Sequence, residues 1–323
     1  MNTSKRTRII MTKFLLLGLA GGIFLAGCGP TFDPASLIDT TRVVGARVEV
    51  EGASDRTTPR PGETANITWL VTSREATPPQ PLSWAFALCT PGTVGGKASL
   101  GCESTPLALF QGTASPPRIA APVPTIAVLG SATSLILYGQ ICSGLDSTPT
   151  VDPLSGVPGC TGGGGTTASV SIRLQLGDET NHNPVADRAF TFDGQVWAPV
   201  AAGGDPCVVG PRVSAGTKDH VIGNTTQGID RETYTAMLGD PAVATPVRET
   251  LQISQFTTAG ELKSQFSFVD AADSNATTTV DVNWNAPKAA DVPAAGLPVT
   301  FTFVVRDNRG GIDWTTRVAC VGP

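Results

Sequence analysis

The sequence predicts an all-β protein that consists of two β-sandwiches in tandem behind a cleaved leader. Three observations support this prediction. Apolar residues alternate with polar ones at a period of two along many short segments. Turns rich in Gly, Pro, Ser and Thr separate these segments, and long helical patterns are scarce. The segments form two sets of about seven strands, each spread over about 135 residues, as expected for two sandwiches.

Residues 1–27 have the layout of a signal peptide. The basic residues Lys5, Arg6, Arg8 and Lys13 precede or adjoin an uncharged apolar run that ends at Gly27. As a helix, the run from position 14 spans only about 21 Å, whereas a bilayer core is about 30 Å thick. We therefore expect a cleaved leader and not a transmembrane anchor.

The leader ends in the motif "LAGC", which consists of Leu25, Ala26, Gly27 and Cys28. This motif resembles the lipobox of bacterial lipoproteins, in which the chain is cut before a cysteine that carries acyl groups such as palmitate. The resemblance implies that Cys28 is lipidated, and several acyl chains anchor a protein firmly to a membrane. Gly29 stands where an Asp retains such lipoproteins at the inner membrane, which implies the outer membrane. The alternative is an ordinary secretory signal that contains a cysteine.

The mature chain, residues 28–323, is acidic. Removal of the four basic leader residues leaves 18 Lys and Arg against 27 Asp and Glu, a formal charge of −9. Nucleic-acid binding requires clustered basic residues, so the composition argues against a nucleic-acid partner.

The first sandwich is predicted at residues 42–176, after a tether at residues 28–41. The alternation places Val44, Ala46 and Val48 on one face of its first strand. Similar alternation marks the segments around Trp69 and Trp84 and the strand before residue 176, and the "TGGGGTT" that precedes this strand is a connector without the helix that a phosphate loop needs.

Residues 177–188 lack periodicity and are predicted to be an interdomain linker that proteases cut first. The second sandwich is predicted at residues 189–323. One short helix is predicted at residues 230–239, with Asp230 as its N-cap and Gly239 as its end.

Two segments carry a resemblance to known domains. "PGETANITW", followed by the strand that contains Trp84, resembles the early strands of immunoglobulin-like domains. "VTFTFVVRDNRGGIDWTTRVACV" resembles the closing hairpin of bacterial immunoglobulin-like, PKD or cadherin-like modules. The resemblance implies two immunoglobulin-like β-sandwich domains in a surface lipoprotein, and it implies no shared catalytic residues. Trp197 is predicted to be either a core residue or a ligand platform.

Six cysteines follow Cys28, an even number that suggests three disulfides in an exported chain and allows 15 pairings. Two pairs flank loops rich in Gly, Pro, Ser and Thr, which favours Cys89–Cys102 and Cys142–Cys160 and leaves Cys207–Cys320. The alternative is Cys89–Cys142 across two sheets. In the last strand, Ile312, Trp314, Val318 and Cys320 share a face, which is predicted to be the core face. Zinc is not expected, because no CxxC pair or nearby His provides ligand spacing.

A calcium site is the one cofactor that the linker suggests. Asp178, Asn181, Asn183 and Asp187 lie close together in the sequence, as does Glu179, and Ca²⁺ takes oxygen ligands. Cadherin-like modules bind calcium at such junctions, although this segment lacks their acidic repeat. The alternative is a plain polar linker without a metal.

The sequence offers little support for an enzyme. It contains no GxSxG, HExxH or glycine-rich nucleotide motif, and its two histidines are His182 and His220. Asp307 and Asp313 are a formal candidate for a glycosidase pair. They flank "NRGG", however, which is typical of a turn.

The predicted function is therefore that of a lipid-anchored envelope protein with a non-enzymatic role in binding, adhesion or structure. Its expected partners are the membrane, through Cys28, and an envelope protein or a glycan. Two alternatives are an anchored hydrolase with an unidentified active site and an accessory subunit of an envelope complex.

Overall fold

A computed structural model describes residues 34–75, 81–94, 97–102, 105–144, 147–151, 158–162, 167–200 and 204–323. The predicted leader and Cys28 lie outside the described residues. The regular structure in the described part of the chain is nearly all β, which confirms the predicted all-β class.

The first half of the chain contains eleven described strands. They are β1 (Arg42–Val50), β2 (Thr64–Thr72), β3 (Leu82–Cys89), β4 (Pro91–Val94), β5 (Lys97–Cys102), β6 (Ala108–Gly112), β7 (Arg118–Pro122), β8 (Ser134–Ser143), β9 (Thr148–Val151), β10 (Pro158–Thr161) and β11 (Thr167–Gln175).

The second half contains twelve described strands. They are β12 (Ala189–Phe192), β13 (Gln195–Val196), β14 (Arg212–Ser214), β15 (His220–Gln227), β16 (Thr233–Leu238), β17 (Val243–Arg248), β18 (Leu251–Thr257), β19 (Glu261–Leu262), β20 (Phe266–Val269), β21 (Thr277–Asn285), β22 (Leu297–Asp307) and β23 (Ile312–Gly322).

The described helices are single turns. They are α1 (Ile126–Leu129), α2 (Pro206–Val209) and two 3₁₀ turns, Gly228–Asp230 and Ala289–Asp291. Within the described ranges, no helix has the length and apolar character needed to cross a membrane.

The main strands form two pairs of sheets with the same topology. The N-terminal sheet pair has the strand orders β1-β2-β7 and β11-β8-β3-β6, and the C-terminal sheet pair contains β12-β15-β21 and β23-β22-β18-β20. If the seven main strands of each pair are counted along the chain, both pairs have the orders 1-2-5 and 7-6-3-4. The seven-stranded immunoglobulin constant-type sandwich has the same division, except that its fourth strand lies on the sheet of strands one, two and five. Here the fourth strand lies on the sheet of strands three, six and seven. In the C-terminal pair, β14 adds a parallel strand to β23.

Each sheet pair encloses its own hydrophobic core. In the N-terminal pair, Trp69 of β2 stacks on Phe86 of β3, with ring centroids 4.3 Å apart. In the C-terminal pair, Trp284 meets Phe301 edge to face at 5.1 Å, and Trp197 also packs against Phe301. Trp197 is buried, and its Nε1 donates a hydrogen bond to the backbone oxygen of Val318, so it is a core residue and not a ligand platform.

One sheet of the C-terminal pair, β14-β23-β22-β18-β20, is covered on both faces. Its inner face belongs to the C-terminal core, and its outer face forms a third cluster that includes Phe256, Val304 and Ile312 together with Val44 and Leu70 of the N-terminal pair. This arrangement explains why consecutive residues of β22 are buried, because alternate side chains enter different cores. The two sheet pairs therefore share a buried apolar contact.

A β-bulge in β1 changes the predicted face of Val44. The register between β1 and β2 shifts between Val43 and Gly45. As a result, Val43 packs against the N-terminal core, while Val44 turns toward the third cluster. The prediction that Val44 shares a face with Ala46 is wrong, because the extra residue of a bulge reverses the alternation.

The last strand presents the opposite face from the one predicted. The residues of β23 that enter the C-terminal core are Ala319 and Val321, whereas Ile312 and Trp314 belong to the third cluster. Cys320 therefore lies on the outer face, where it is buried beside α2. The alternation correctly indicates a buried face, but it does not indicate which layer covers that face.

The segment at residues 230–239 is not the predicted helix. Its main part is strand β16, which pairs in an antiparallel hairpin with β17, from Thr233 opposite Arg248 to Leu238 opposite Val243. The β-branched and aromatic residues "TYT" favour a strand, and the partner strand that follows provides the hydrogen bonds.

Part of the predicted tether, residues 28–41, is bound to the C-terminal sheet pair. Thr257 at the end of β18 donates its N–H to the backbone oxygen of Ser36 at 2.9 Å, and its own oxygen accepts from the N–H of Ile38 at 2.8 Å. Ser36 and Ile38 are both buried. A free tether therefore ends before Ser36.

Two disulfides join described residues. They are Cys142–Cys160, with a sequence separation of 18 residues, and Cys207–Cys320, with a separation of 113 residues. Both are among the pairings that the sequence favours. Cys89 is also disulfide-bonded, and it belongs to neither of these two bridges. The side chain of its predicted partner Cys102 lies outside the described residues, so Cys89–Cys102 stays a prediction.

Candidate functional site

The segment at residues 177–188 is packed between the two sheet pairs and is not a solvated linker. Asn183 donates its Nδ2–H to the backbone oxygen of Val48 in β1 at 2.9 Å, and its Oδ1 accepts from the N–H of Ile312 in β23 at 2.9 Å. The backbone oxygen of Asn181 accepts from the N–H of Thr57 at 3.0 Å. These bonds tie both sheet pairs to one segment, and a domain boundary at this segment stays a prediction.

The four calcium candidates have separate protein partners. Asp178 pairs with Arg60 at 2.5 Å and Asp187 pairs with Arg317 at 2.5 Å. Asn181 donates to the Asp307 carboxylate at 3.3 Å, and Asn183 uses both ends of its amide as described above. Within the described ranges, no group of three or more His, Cys, Asp and Glu side chains could hold a metal ion.

Asp307 and Asp313 belong to different networks. Oδ1 of Asp307 accepts the backbone N–H groups of Arg309 and Gly311, both at 2.8 Å, and so closes the β22–β23 turn. Asp313 forms an ion pair with Arg47 of β1 at 2.9 Å. The two carboxylates thus shape a turn and the contact between the sheet pairs, as the turn interpretation of "NRGG" predicts for Asp307.

His220 lies between a hydroxyl and a carboxylate. The Thr217 hydroxyl is 2.7 Å from its Nε2, and an Asp193 carboxylate oxygen is 2.8 Å from its Nδ1. A hydrolase triad needs the hydroxyl to donate its proton to the imidazole. Here the Thr217 hydroxyl also lies 2.6 Å from the backbone oxygen of Ser214, which can only accept. The hydroxyl proton is therefore directed at Ser214, and the row locks the loop between β14 and β15.

A second set of titratable side chains meets at the junction. We call His182, Glu232, Glu249, Asp307 and Arg309 the junction cluster. Nη1 of Arg309 lies 3.1 Å from Oε1 of Glu249 and 3.2 Å from Oε2 of Glu232. Glu249 also accepts the backbone N–H of Glu232 at 2.9 Å, and His182 contacts Glu232 through Nδ1. The cluster joins the segment at residues 177–188 to the β16–β17 hairpin and the β22–β23 turn.

Glu249 is the member of the cluster whose pKa is shifted most from its ordinary value. Its side chain is only 2% exposed. Burial raises the pKa of Glu249 to about 7, and the neighbouring carboxylates of Asp307 and Glu232 act in the same direction. The hydrogen bonds from the Glu232 N–H and from Arg309 oppose this rise.

Perturbed acids are typical of active sites, but the Glu249 side chain is almost completely buried. The depression beside the cluster is lined by Glu232, Tyr234 and Arg309, and Glu249 is not part of its wall. The Arg309 guanidinium stacks on the ring of Tyr234, with its Cζ atom 4.8 Å from the ring centroid. The arrangement is suited to holding three chain segments together, and Glu249 lies buried among them.

Glu249 should make the protein less stable as the pH rises from about 4.5 to about 7. Its folded pKa lies above the ordinary value of 4.5, so in this window the folded state keeps a proton that the unfolded state loses. Between pH 5 and pH 8 this difference amounts to about 2–3 kcal/mol. The Glu249→Gln variant, which keeps the shape and cannot ionise, should lack this loss.

Urea unfolding of the wild type and of Glu249→Gln at pH 5 and pH 8 measures this effect. All other ionisable side chains are common to both proteins, so the difference in their pH dependence isolates the contribution of Glu249. Equal pH dependence in the two proteins would show that Glu249 ionises normally.

The sequence did not identify Glu232, Glu249 or Arg309 as site residues. Arg309 was visible only as part of a turn, and Glu249 lies just before an apolar strand, which is a weak sign of burial. Of the residues singled out from the sequence, the structure brings His182, Asn181 and Asp307 together at the junction. It places His220 elsewhere.

An open cleft of about 430 Å³ lies beside the junction cluster. Its walls come from β1, β11 and the β22–β23 turn. Arg306 and Arg173 are its basic residues, and the half-buried Val43 and Ile172 contribute apolar surface.

Comparison with known proteins gives no family for this chain. No protein-family model matches it, and no curated protein sequence matches it. Among solved structures, it is similar to Escherichia coli alpha-2-macroglobulin activated by porcine elastase, with 8% sequence identity and a TM-score of 0.23. The match covers 90% of this chain and 22% of that chain. At this TM-score, we base no argument on the match.

Proposed function

We propose that this protein is a lipid-anchored protein of the bacterial outer membrane with a non-enzymatic role in binding, adhesion or envelope structure. The observation that carries the proposal is the junction. A shared apolar cluster, the side-chain hydrogen bonds of Asn183 and the ion pair between Arg47 and Asp313 hold the two sheet pairs in one body. A body of this kind suits a protein that presents or bridges surfaces.

The anchor follows from the "LAGC" motif and its distance from the folded body. Cys28 and Ser36 are eight positions apart, and eight residues span at most about 29 Å. Because Ser36 is bound to the end of β18, lipidation of Cys28 would hold the C-terminal sheet pair close to the membrane surface. The acidic mature chain gives no electrostatic attraction to anionic lipids, so the acyl chains would provide the attachment.

The Cys28→Ala variant tests the anchor. We expect the wild-type chain in the outer-membrane fraction, with acyl groups on Cys28 in the mass spectrum of its N-terminal peptide. The variant should lack the acyl groups and leave the membrane fraction, whereas Gly29→Ala should keep both properties. Wild-type protein without acyl groups on Cys28 would refute the anchor.

Crosslinking in intact cells, followed by detergent extraction, affinity capture and mass spectrometry, separates the possible roles. One envelope protein recovered in near-equal amount would favour the accessory-subunit alternative. Recovery of the protein alone would favour a glycan or small-molecule ligand. A hydrolytic activity that is lost in His220→Ala but not in Cys28→Ala would instead establish the hydrolase alternative and refute the non-enzymatic role.

A further inference from the structure

The cleft beside the junction contains a guanidinium group that has no acidic partner among the residues that the structure describes. Arg306, at the end of β22, lines the cleft and belongs to none of the ion pairs among the described residues. Most other partly buried arginines, such as Arg309 and Arg317, are paired with a carboxylate. A cation that is removed from water without a counter-charge carries a desolvation cost.

The hydrogen bonds of Arg306 leave part of its guanidinium available. Nη1 donates to the Ser254 hydroxyl at 2.8 Å, and Nη2 donates to the backbone oxygen of Val44 at 2.5 Å. These two bonds hold the planar group between β18 and β1. A guanidinium has five N–H groups. Because two of those of Arg306 are used in these bonds, the other three have no acceptor among the described residues. Burial lowers the pKa of Arg306.

The rest of the wall combines positive charge with apolar surface. Arg173 of β11 is exposed at the cleft. Trp69 is fully buried, and its Nε1–H has no acceptor in the described part of the chain. Ile172 and Val43 add apolar surface.

One acid, Asp307, also lines the cleft, but its charge is already compensated. Its carboxylate accepts the N–H groups of Arg309 and Gly311 and the amide of Asn181. It therefore leaves the guanidinium of Arg306 as the polar group in the wall that needs a partner.

We propose that this cleft binds a small organic carboxylate, with its carboxylate group on the Arg306 guanidinium and its apolar part against the half-buried side chains of Val43 and Ile172. A planar guanidinium matches a carboxylate in a bidentate pair, and such pairs are strong. The volume of about 430 Å³ lies within the range of small-molecule sites, about 300–1,000 Å³. This inference goes beyond the proposed function, because binding in the cleft does not depend on the anchor at Cys28.

Calorimetric titration of the full-length chain in non-ionic detergent, with micelle-only blanks, tests the proposal. The probes are benzoate, its neutral analogue benzyl alcohol, and sulfate. We expect benzoate to bind the wild type at least tenfold more tightly than either of the other probes. Arg306→Met should weaken benzoate binding at least tenfold, and Arg306→Lys should weaken it severalfold, because an ammonium lacks the planar fork.

Two further variants keep the test independent of the folding of Arg306→Met. Ser169→Trp places a large side chain at an exposed position of the cleft wall, leaves Arg306 unchanged and should abolish benzoate binding. Arg118→Met, an exposed arginine on β7 outside the cleft, should bind benzoate as the wild type does.

Three outcomes would overturn the proposal: no benzoate binding, equal binding of benzoate and benzyl alcohol, or benzoate binding that Ser169→Trp leaves unchanged. Tighter binding of sulfate than of benzoate would also overturn it, because the site would then select an inorganic anion. None of these outcomes bears on the anchor, which the membrane fraction of Cys28→Ala tests separately.

Discussion

Replacement of both Cys207 and Cys320 by alanine should lower the free energy of unfolding by about 4–5 kcal/mol. The bridge joins residues that are 113 positions apart, and it fixes α2 to the outer face of β23. In the chain-entropy model, a crosslink restricts the unfolded chain more strongly as the closed loop becomes longer. The bridge Cys142–Cys160 closes 18 positions, so its removal should cost only about 3 kcal/mol.

Urea unfolding of the two double-alanine variants compares these costs directly. Hydrogen exchange in β21–β23 shows whether the loss in the Cys207/Cys320 variant lies in the C-terminal sheet pair. The Cys142/Cys160 variant serves as the matched control, because it also removes two cysteines. If removal of Cys142–Cys160 lowered the free energy of unfolding more than removal of Cys207–Cys320, strain or residual structure would outweigh chain entropy.

Replacement of Arg309 by methionine should cost about 3–5 kcal/mol at pH 8, which is the usual cost of removing one partner from a buried ion pair. Glu249 is almost completely buried, and Arg309 is its one cationic partner among the described residues. Without Arg309, the carboxylate must either stay charged without compensation or take up a proton. At pH 5 it is already largely protonated, so the same substitution should cost much less.

A double-mutant cycle separates this electrostatic cost from the loss of packing. Arg309→Met combined with Glu249→Gln should be more stable at pH 8 than Arg309→Met alone, because the uncompensated charge of Glu249 is removed. The packing of Arg309 on Tyr234 is lost in both proteins and cancels from the comparison. A coupling near zero at pH 8 would mean that Glu249 is protonated even in the wild type.

Much of the fold could be predicted from local sequence patterns. Period-two alternation located the strands around Trp69, Trp84 and Trp284, and turn residues marked their ends. Loop composition and elimination also favoured the pairings Cys142–Cys160 and Cys207–Cys320, which the structure contains. The strand positions depend on residues that are neighbours in the chain, and the cysteine pairings are chosen from a small number of possible combinations.

The errors occurred where a distant segment decided the outcome. The bulge in β1 reversed the face of Val44, and the N-terminal sheet pair covers Ile312 on the face of β23 that was assigned to the C-terminal core. The segment at residues 230–239 has a helix-like cap and stop, yet its pairing with β17 makes it a strand. Tertiary hydrogen bonds outweigh such weak local signals.

The sequence by itself determined the all-β class and the position of most strands, because both depend on patterns of adjacent residues. Only the tertiary structure decided that Asn183 bonds to both Val48 and Ile312 and that Arg309 meets Glu249. These partners are 60 to 135 positions apart. Alternation shows that a strand has a buried face, but the packing of whole sheets determines which residues cover that face and which charges meet there.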